Sequence, residues 1–396
     1  MKHAIVIPDG AADRPTESLQ GRTPLEVARV PHMDRIAAAG RSGMVRFAPA
    51  GMEPGSDVCI LSLLGYDPRR GYTGRAPLEC AARGIELGPE DWAFRMNFVT
   101  VSDGGMADYS AGHITTKEAA VLVEALGAGL GSAAVRFHAG VGYRHLVIMR
   151  GERFRVRTVP PHDIMGERIE RYLPRGRGSK RLRALMEAAR GVLDSHPINR
   201  VRLDLGESPA TDVWLWGQGQ RPALESFQAR WGLRGAAITA VDLVRGIAKL
   251  IGWDVIEVPG ATGYYDTDYA AKGRAAVEAL AKYDLVVVHV EAPDEAGHNG
   301  QPIEKVRALE HIDREIVGPL VGALESCGEG FRVLVSPDHL TPVDVRTHES
   351  GPVPFAMMGQ GLEALRAGGV MTEASARQGG LTVEAGHELM EYFLKR

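Results

Sequence analysis

The chain has 396 residues, 44% of them hydrophobic and 24% charged, which is ordinary for a soluble globular protein. Its 46 basic and 50 acidic residues give a formal net charge of −4 without a prominent basic run, so we expect no nucleic-acid partner. No apolar run approaches the roughly 18 residues that a membrane-spanning helix needs, so we expect no membrane partner either.

The N-terminus and the cysteines predict a cytoplasmic protein. The opening residues M-K-H-A-I-V-I-P-D lack the long apolar region and small-residue cleavage site of a signal peptide. Cys59, Cys80 and Cys327 have neither metal-site nor C-x-x-C spacing and lie in apolar surroundings, so we expect reduced core residues. The chain is longer than one compact core needs, so we expect a second domain. The sequence leaves open whether the chain forms an oligomer.

Short apolar runs alternate with amphipathic segments, which is typical of an α/β protein with a mostly parallel sheet flanked by helices. The predicted strands, in chain order, are His3–Pro8, Phe94–Val101, Ala236–Val241, Asp254–Val258, Leu285–Val290 and Arg332–Ser336. The predicted helices are Pro24–Ala39, Ser56–Leu64, Asp242–Ile251, Asp268–Lys282, Ile303–Leu324 and Glu384–Leu394.

Residues 112–178 differ from the rest, because they are rich in Gly, Pro, His and Arg and contain two alternating stretches. This pattern predicts a smaller α+β domain, which would serve as a lid, inserted into a main domain formed by residues 1–111 and 179–396. The segment P-R-G-R-G-S-K at 174–180 is expected to be a flexible linker. The helical segment Arg181–Leu193 would then return to the main domain.

Three separate strands end in an aspartate. I-V-I-P-D ends in Asp9, V-V-V-H-V-E-A-P-D ends in Asp294, and V-L-V-S-P-D-H ends in Asp338. In open α/β sheets, ligands bind outside the carboxyl ends of the strands, so the three carboxylates could meet in one crevice. An aspartate after a proline can also simply cap a loop or helix, but a shared pattern in three strands favours a common site.

Histidines accompany two of these aspartates. His298 follows Asp294 by four residues, and His339 and His348 follow Asp338 closely. Imidazole and carboxylate together suit borderline divalent cations such as Zn²⁺ or Mn²⁺. Six ligands are too many for one tetrahedral ion and about right for two ions, an arrangement used in phosphoryl transfer.

Such a site needs a nucleophile, and Ser56 in P-G-S-D-V is the candidate. Ser56 or its neighbour Asp57 could instead be only the N-cap of the helix that follows. A helix N-terminus, however, also favours a bound phosphate. No G-x-x-x-x-G-K-[ST] and no G-x-S-x-G is present, so the sequence contains neither a P-loop nor an esterase elbow.

The combination of V-I-P-D-G, P-G-S-D-V, E-A-P-D-E-A-G-H, P-D-H and a downstream T-H resembles the alkaline phosphatase superfamily. Within it, L-L-G-Y-D-P, Y-T-G-R-A-P-L-E and S-A-G-H-I are similar to the cofactor-independent phosphoglycerate mutases of the archaeal type. The resemblance covers the whole chain and implies an alkaline-phosphatase-like α/β domain with an inserted domain. It implies interconversion of 2- and 3-phosphoglycerate without 2,3-bisphosphoglycerate.

The resemblance also implies roles for individual residues. One metal ion would be held by Asp294, His298 and His348, and the other by Asp9, Asp338, His339 and the Ser56 oxygen. Ser56 would be phosphorylated transiently. The two ions would be Mn²⁺ most often, with Zn²⁺, Co²⁺ or Mg²⁺ as alternatives, and the partner would be a small phosphorylated metabolite.

One segment departs from the pattern of the related mutases and bears on the substrate. Related mutases tend to have a basic residue in the segment that here is P-A-T-D-V-W-L-W-G-Q-G, and Trp214 with Trp216 is similar to a bacterial subgroup proposed to act as homoserine kinases. A small-molecule phosphatase is a further alternative. The tryptophans could equally be core residues. Candidates for binding a substrate carboxylate are His113, Arg75 and Arg144, each as easily an ordinary loop or surface residue, with Lys272 a weaker candidate.

Overall fold

The computed structural model describes residues 1–365 and 369–395. The chain forms two compact units, one of Met1–Tyr72 with Ala223–Arg396 and one of Thr73–Pro222. The second unit therefore extends beyond the expected insert of 112–178 on both sides.

Fifteen strands are present among the described residues. They are β1 (Lys2–Pro8), β2 (Arg41–Val45), β3 (Asp91–Ser102), β4 (Gly105–Asp108), β5 (Val135–Val141), β6 (Arg144–Arg150), β7 (Arg155–Arg157), β8 (Arg175–Arg177), β9 (Asp212–Gly219), β10 (Gly235–Ile238), β11 (Asp254–Val255), β12 (Leu285–Val290), β13 (Phe331–Val335), β14 (Val353–Gly359) and β15 (Leu381–Val383).

The same part of the chain contains sixteen α-helices. They are α1 (Pro24–Val27), α2 (Pro31–Ala39), α3 (Ser56–Leu63), α4 (Pro68–Gly71), α5 (Arg75–Ala82), α6 (Thr116–Leu130), α7 (Ser179–Asp194), α8 (Pro197–Asp204), α9 (Phe227–Trp231), α10 (Asp242–Leu250), α11 (Tyr269–Ala279), α12 (Ala292–His298), α13 (Pro302–Ile312), α14 (Gly318–Ser326), α15 (Glu373–Gln378) and α16 (Leu389–Lys395).

The first unit is built on an eight-stranded sheet with the order β11-β10-β12-β1-β13-β14-β2-β15. All neighbouring strands are parallel except the two pairs that involve β14. Every residue of β12 is buried, as expected for a central strand covered by helices on both faces. The predicted mostly parallel α/β sheet is confirmed, and β1, β12 and β13 end side by side at one edge.

The second unit is an antiparallel α+β structure centred on β3, which pairs with β4, β6 and β9. Because β3 and β9 belong to this sheet, the unit begins before and ends after the predicted insert. The segment expected to be a linker contains β8, which pairs with β7. Helix α7 packs on β9 within this unit, whereas the sequence placed it in the main domain.

Two long predicted helices are not single regular α-helices. The segment 24–39 forms α1 and α2, because Pro31 begins a new helix and Val30, the residue before it, is not helical. The segment 303–324 is continuous, but its centre, Asp313–Val317, is a π-helix between α13 and α14. Cys59 and Cys80 are buried as expected, but Cys327 follows α14 and is exposed, which corrects the prediction of a core residue there.

None of the helices in the described residues combines the length and apolar character that crossing a membrane requires.

Candidate metal centre

The three strand-end aspartates lie at one edge of the first unit's sheet. Asp9 directly follows β1, Asp338 follows β13 by three residues, and Asp294 lies in the first turn of α12 after β12. Because these strands are adjacent and parallel, their carboxyl ends bring the aspartates together, as the sequence predicts. All three side chains are buried.

Asp294, His298 and His348 form the first group. Asp294 and His298 lie one turn apart on α12, and the Nε2 atom of His298 is 3.2 Å from Asp294 Oδ2. His348 Nε2 is 3.5 Å from Asp294 Oδ1 and 3.0 Å from His298 Nε2. Hydrogen bonding to Asp294 raises the pKa of His298 to about 9. Burial acts to raise the pKa of Asp294, but hydrogen bonds from both histidines outweigh it and hold that pKa well below its usual range.

Asp9, Asp338, His339 and Ser56 form the second group. His339 Nε2 lies 3.3 Å from Asp9 Oδ1, 3.3 Å from Asp338 Oδ2 and 3.2 Å from Ser56 Oγ. Burial and the neighbouring charge of Asp338 raise the pKa of Asp9. The second group thus surrounds a single ring nitrogen with three oxygens.

This donor set fits a divalent cation. Asp9 Oδ1 and Asp338 Oδ2 are buried and lack a hydrogen-bond partner among the described residues. Buried carboxylate oxygens without partners are costly unless a cation or proton compensates them. Burial also lowers the pKa of His339, which favours the neutral imidazole that binds metals.

Thr341 connects the two groups. Its hydroxyl donates to Asp294 Oδ1 at 2.5 Å, and its oxygen lies 3.1 Å from His339 Nδ1. A hydroxyl has one hydrogen to donate, so His339 must supply the hydrogen of the second bond through Nδ1–H. The Nε2 lone pair of His339 is therefore directed at Asp9, Asp338 and Ser56, the arrangement in which the outer hydrogen bond of a ligating histidine fixes its tautomer.

Ser56 is the first residue of α3, and the N-cap is Gly55. The alternative that Ser56 or Asp57 caps the helix is wrong, because no side-chain cap hydrogen bond forms there. Ser56 Oγ is directed at His339 instead. Asp57 accepts a hydrogen bond from the Tyr72 hydroxyl at 2.5 Å. The helix N-terminus therefore presents Ser56, and not Asp57, to the metal-ligand groups.

Comparisons with known proteins identify the family of this chain. The family described as 2,3-bisphosphoglycerate-independent phosphoglycerate mutase matches residues 37–199. A protein of that name from Methanothrix thermoacetophila is 51% identical over 394 residues, with both chains covered completely. A Geobacter sulfurreducens protein named as a probable member is 49% identical over 401 residues, again covering both chains completely.

The chain belongs to the family of 2,3-bisphosphoglycerate-independent phosphoglycerate mutases. A solved structure supports the fold: that of the cofactor-independent phosphoglycerate mutase from Thermoplasma acidophilum is similar, with a TM-score of 0.69 and 27% identity over 100% of this chain and 99% of that one.

In this phosphoglycerate mutase family member, sequence reasoning missed His289 and Glu291, which adjoin Asp9. His289 Nε2 lies 2.6 Å from Asp9 Oδ2, and its Nδ1 lies 3.1 Å from the Thr239 hydroxyl oxygen. Burial lowers the pKa of His289 to about 3, so the ring is neutral. Burial and the charge of Asp294 raise the pKa of Glu291 to about 8. The signal was their spacing in V-V-V-H-V-E, because residues two apart in a strand face the same side.

The predicted carboxylate-binding residues lie in the second unit. Arg75 is the first residue of α5 and Arg144 the first of β6. Both lie close enough to Arg95 of β3 for their positive charges to lower its pKa, after burial as the main cause. Arg95, which sequence reasoning missed, also pairs with Glu79 at 3.0 Å. His113 lies in a left-handed turn, with φ of 50°.

Trp214 and Trp216 are buried in the core of the second unit. Trp214 donates its indole N–H to the Val159 carbonyl at 2.7 Å, and Trp216 donates to Asn97 Oδ1 at 3.1 Å. The Arg95 guanidinium stacks over the Trp216 ring at 4.1 Å. The tryptophan segment therefore has a basic side chain beside it, supplied by the neighbouring strand β3.

Proposed function

We propose that this chain interconverts 2-phosphoglycerate and 3-phosphoglycerate in the cytoplasm, with Ser56 as the phosphoryl carrier and with two divalent cations. The convergence on His339 Nε2 of Ser56 Oγ, Asp9 and Asp338 within 3.3 Å is the observation that supports this most directly. A hydroxyl oxygen this close to two buried carboxylates is in the position that a cation-activated nucleophile would need. Family membership supports the substrate.

The proposed reaction is two in-line transfers. Ser56 Oγ bonds to the phosphorus of the bound substrate as the bond from phosphorus to the glycerate oxygen breaks, and the proton lost by Ser56 is balanced by the one that the glycerate oxygen gains. After glycerate reorients, its other hydroxyl attacks the phosphoserine, loses a proton and regenerates the Ser56 hydroxyl. The N-terminal N–H groups of α3 lie beside Ser56, where they can hydrogen-bond the phosphoryl oxygens.

Two cations would be held by the two groups described above, Asp294, His298 and His348 on one side and Asp9, Asp338, His339 and Ser56 on the other. When bound, such ions lower the pKa of a ligated hydroxyl and neutralise phosphoryl charge. Mixed imidazole and carboxylate donors favour Mn²⁺ or Zn²⁺, and we propose Mn²⁺ as the ion bound. Thr341 would keep His339 oriented as a ligand.

We propose Arg75, Arg144 and Arg95 as the residues that bind the substrate carboxylate. Arg75 and Arg144 lie close enough to Arg95 for their charges to lower its pKa, and Arg95 pairs with Glu79 at 3.0 Å. Guanidinium groups bind carboxylates in a planar, bidentate geometry. His113 stays a predicted contributor, and a lid role for residues 112–178, which would protect the phosphoserine from water, stays a prediction.

Two assays with Mn²⁺ test this function against the homoserine kinase alternative. One follows conversion of 3-phosphoglycerate to 2-phosphoglycerate, and the other follows phosphorylation of homoserine by ATP. We expect turnover in the first only. Homoserine phosphorylation without mutase turnover would refute the proposal, and release of inorganic phosphate as the main product would indicate a phosphatase instead.

The role of Ser56 has a matched control in the same helix. Ser56→Ala should abolish turnover and prevent the mass increase of one phosphoryl group that substrate should produce in the wild-type chain. Ser62→Ala removes a buried hydroxyl that has no hydrogen-bond partner among the described residues, so its activity should stay near that of the wild type. Near-normal turnover of Ser56→Ala would exclude the phosphoserine mechanism.

A further inference from the structure

Two lysines of the first unit are buried. The spacing of α11 predicts a solvated Lys272, but this side chain is 1% exposed and its Nζ atom donates to the His289 carbonyl at 3.2 Å, which corrects that expectation. Lys305 on α13 is 0% exposed. Lysine is almost never fully buried unless it is paired, and Lys305 Nζ lies 2.8 Å from Asp13 Oδ2. Lys305 thus forms a fully buried ion pair, and its other contacts show what the pair does.

The ammonium of Lys305 joins the segment that follows β1 to the segment that follows β13. Its Nζ atom donates to Asp13 Oδ2 at 2.8 Å, to the Thr341 carbonyl at 2.8 Å and to the Ala12 carbonyl at 3.5 Å. An ammonium has three hydrogens, so all of its donors are used. β1 and β13 pair only as far as Val6 and Val335, so beyond these residues other contacts must set the distance between the two segments.

These two segments carry the ligands of the second metal group. Asp9 lies three residues before Ala12, and Asp338 and His339 directly precede Leu340 and Thr341. The Thr341 N–H donates to the Ala12 carbonyl at 3.3 Å, and the Thr341 hydroxyl donates to Asp294 at 2.5 Å. A shift of the Thr341 backbone would therefore move the hydroxyl that connects the two metal-ligand groups.

Asp13 is held in place from several sides. Its backbone N–H donates to Glu373 Oε1 at 3.1 Å, and Glu373 Oε2 accepts from the Thr23 hydroxyl at 2.7 Å. Asp13 Oδ2 also accepts from the Val343 N–H at 3.3 Å. Replacing a buried ion pair by apolar residues of similar volume is often neutral or stabilising, so stability alone is a weak reason for this pair. Its directional hydrogen bonds to the two segments are a better one.

We propose that Lys305 is a positioning residue of the metal centre, which sets the distance between the Asp9 segment and the Asp338–His339 segment and holds Thr341 within reach of Asp294. None of its hydrogen bonds in the described part of the chain goes to a proposed metal ligand, so it acts through the backbone of Ala12 and Thr341. The inference rests on the proposed two-ion centre.

A double variant separates this role from the stability of the ion pair. Lys305→Met alone leaves the Asp13 carboxylate buried without its cation and should be strongly destabilised. Lys305→Met with Asp13→Asn removes both charges, so its melting temperature without metal should lie near that of the wild type. Its Mn²⁺ affinity, measured by isothermal titration of the metal-stripped full chain, should be about tenfold lower or weaker still, the size typical of losing an outer partner of metal ligands.

Asp313→Asn is the control, because it weakens a buried carboxylate that lies away from both segments. Asp313 is 1% exposed and accepts from the backbone N–H groups of His32 and Met33 at 3.2 Å and 2.7 Å. An asparagine keeps one acceptor oxygen, so the melting temperature should fall while the Mn²⁺ affinity stays at the wild-type value.

The possible results separate this inference from the proposed function. Wild-type Mn²⁺ affinity in the double variant would overturn the inference alone, and so would an equal loss of affinity in Asp313→Asn, which would make affinity follow stability. A double variant that fails to fold would also overturn it, because the lysine would then serve the fold itself. Absence of Mn²⁺ binding by the wild type would overturn the proposed function as well.

Discussion

Replacing Thr341 by valine removes the hydroxyl that joins the two metal-ligand groups while keeping the shape of the side chain. The wild-type hydroxyl donates to Asp294 at 2.5 Å and lies 3.1 Å from His339 Nδ1. Losing the hydrogen bond to a carboxylate costs about 1.5–3 kcal/mol, and a buried imidazole N–H left without an acceptor costs about 1–3 kcal/mol. Thr341→Val should therefore disorder a ligand in each group.

The effect on metal binding follows from these costs. Outer partners of metal ligands are typically worth about 10- to 100-fold in affinity, which corresponds to about 1.4–2.7 kcal/mol and lies within the hydrogen-bond loss above. We expect the dissociation constant for Mn²⁺ to rise by this factor in Thr341→Val, with a parallel rise in the Mn²⁺ concentration that gives half-maximal mutase turnover. Isothermal titration of the metal-stripped chain measures the first quantity.

Thr341→Ser is the matched control, because it keeps the hydroxyl and loses only a methyl group. Its Mn²⁺ affinity should stay within a few-fold of the wild type. Two results would refute the reasoning: wild-type affinity in Thr341→Val, or an equal loss in the valine and serine variants, which would assign the effect to packing rather than to the hydroxyl.

Two further predictions concern backbone and pH. At Gly10, where φ is +58°, a Cβ would lie 2.4 Å from Asp294 Oδ1, so Gly10→Ala should abolish Mn²⁺ binding and cost about 4 kcal/mol or more. At Gly21, where φ is +76° and a Cβ would meet nothing within 4 Å, Gly21→Ala should lower the free energy of unfolding by only about 1–2 kcal/mol and leave Mn²⁺ binding intact. Equal losses in the two variants, of stability in urea unfolding and of Mn²⁺ affinity in titration, would contradict this. Burial lowers the pKa of His145 to about 3, and its Nδ1 accepts from the Gly140 N–H at 2.9 Å, so the folded chain keeps this ring neutral. The unfolded chain binds a proton at His145 with a pKa of about 6.5, so this neutral ring contributes its full stability above that pH, and the contribution falls by about 1.4 kcal/mol per pH unit below it. In His145→Gln the free energy of unfolding should fall less steeply between pH 6.5 and 5. An unchanged slope would exclude His145 as the cause of the pH dependence.

The sequence predicted the parallel core and the ligand groups because both depend on local patterns. A strand such as Leu285–Val290, apolar except for His289, is recognisable without its neighbours, and an aspartate shortly after its end marks the binding edge. The extent of the second unit was underestimated because it depends on distant parts of the chain. β3 and β9 belong to it because they pair with each other, although the paired residues are more than 100 positions apart in the chain. No local sequence pattern indicates such a pairing.

The same limit explains the residues that were missed. His289 lies in β12 and Glu291 directly follows it, so the apolar character of that strand dominates the pattern around both residues. Lys272 lies on a helix that has the spacing of a solvated face. Its burial depends on the contact between Gly273 and the carbonyl of Glu315, which are 42 residues apart in the chain. Long-range backbone packing decides such cases, and a single sequence does not reveal it.

The order of the central strands also has a consequence for biosynthesis. β1 is made long before its partners β12 and β13, which begin at residues 285 and 331. The strands of Thr73–Pro222 pair within their own segment, so this unit can fold on the ribosome while β1 is still unpaired. The last proposed ligand, His348, is made later still. The growing chain can therefore assemble the proposed metal centre only after residue 348 has been made, and before β12 is made the unpaired β1 edge is a segment for chaperones to protect.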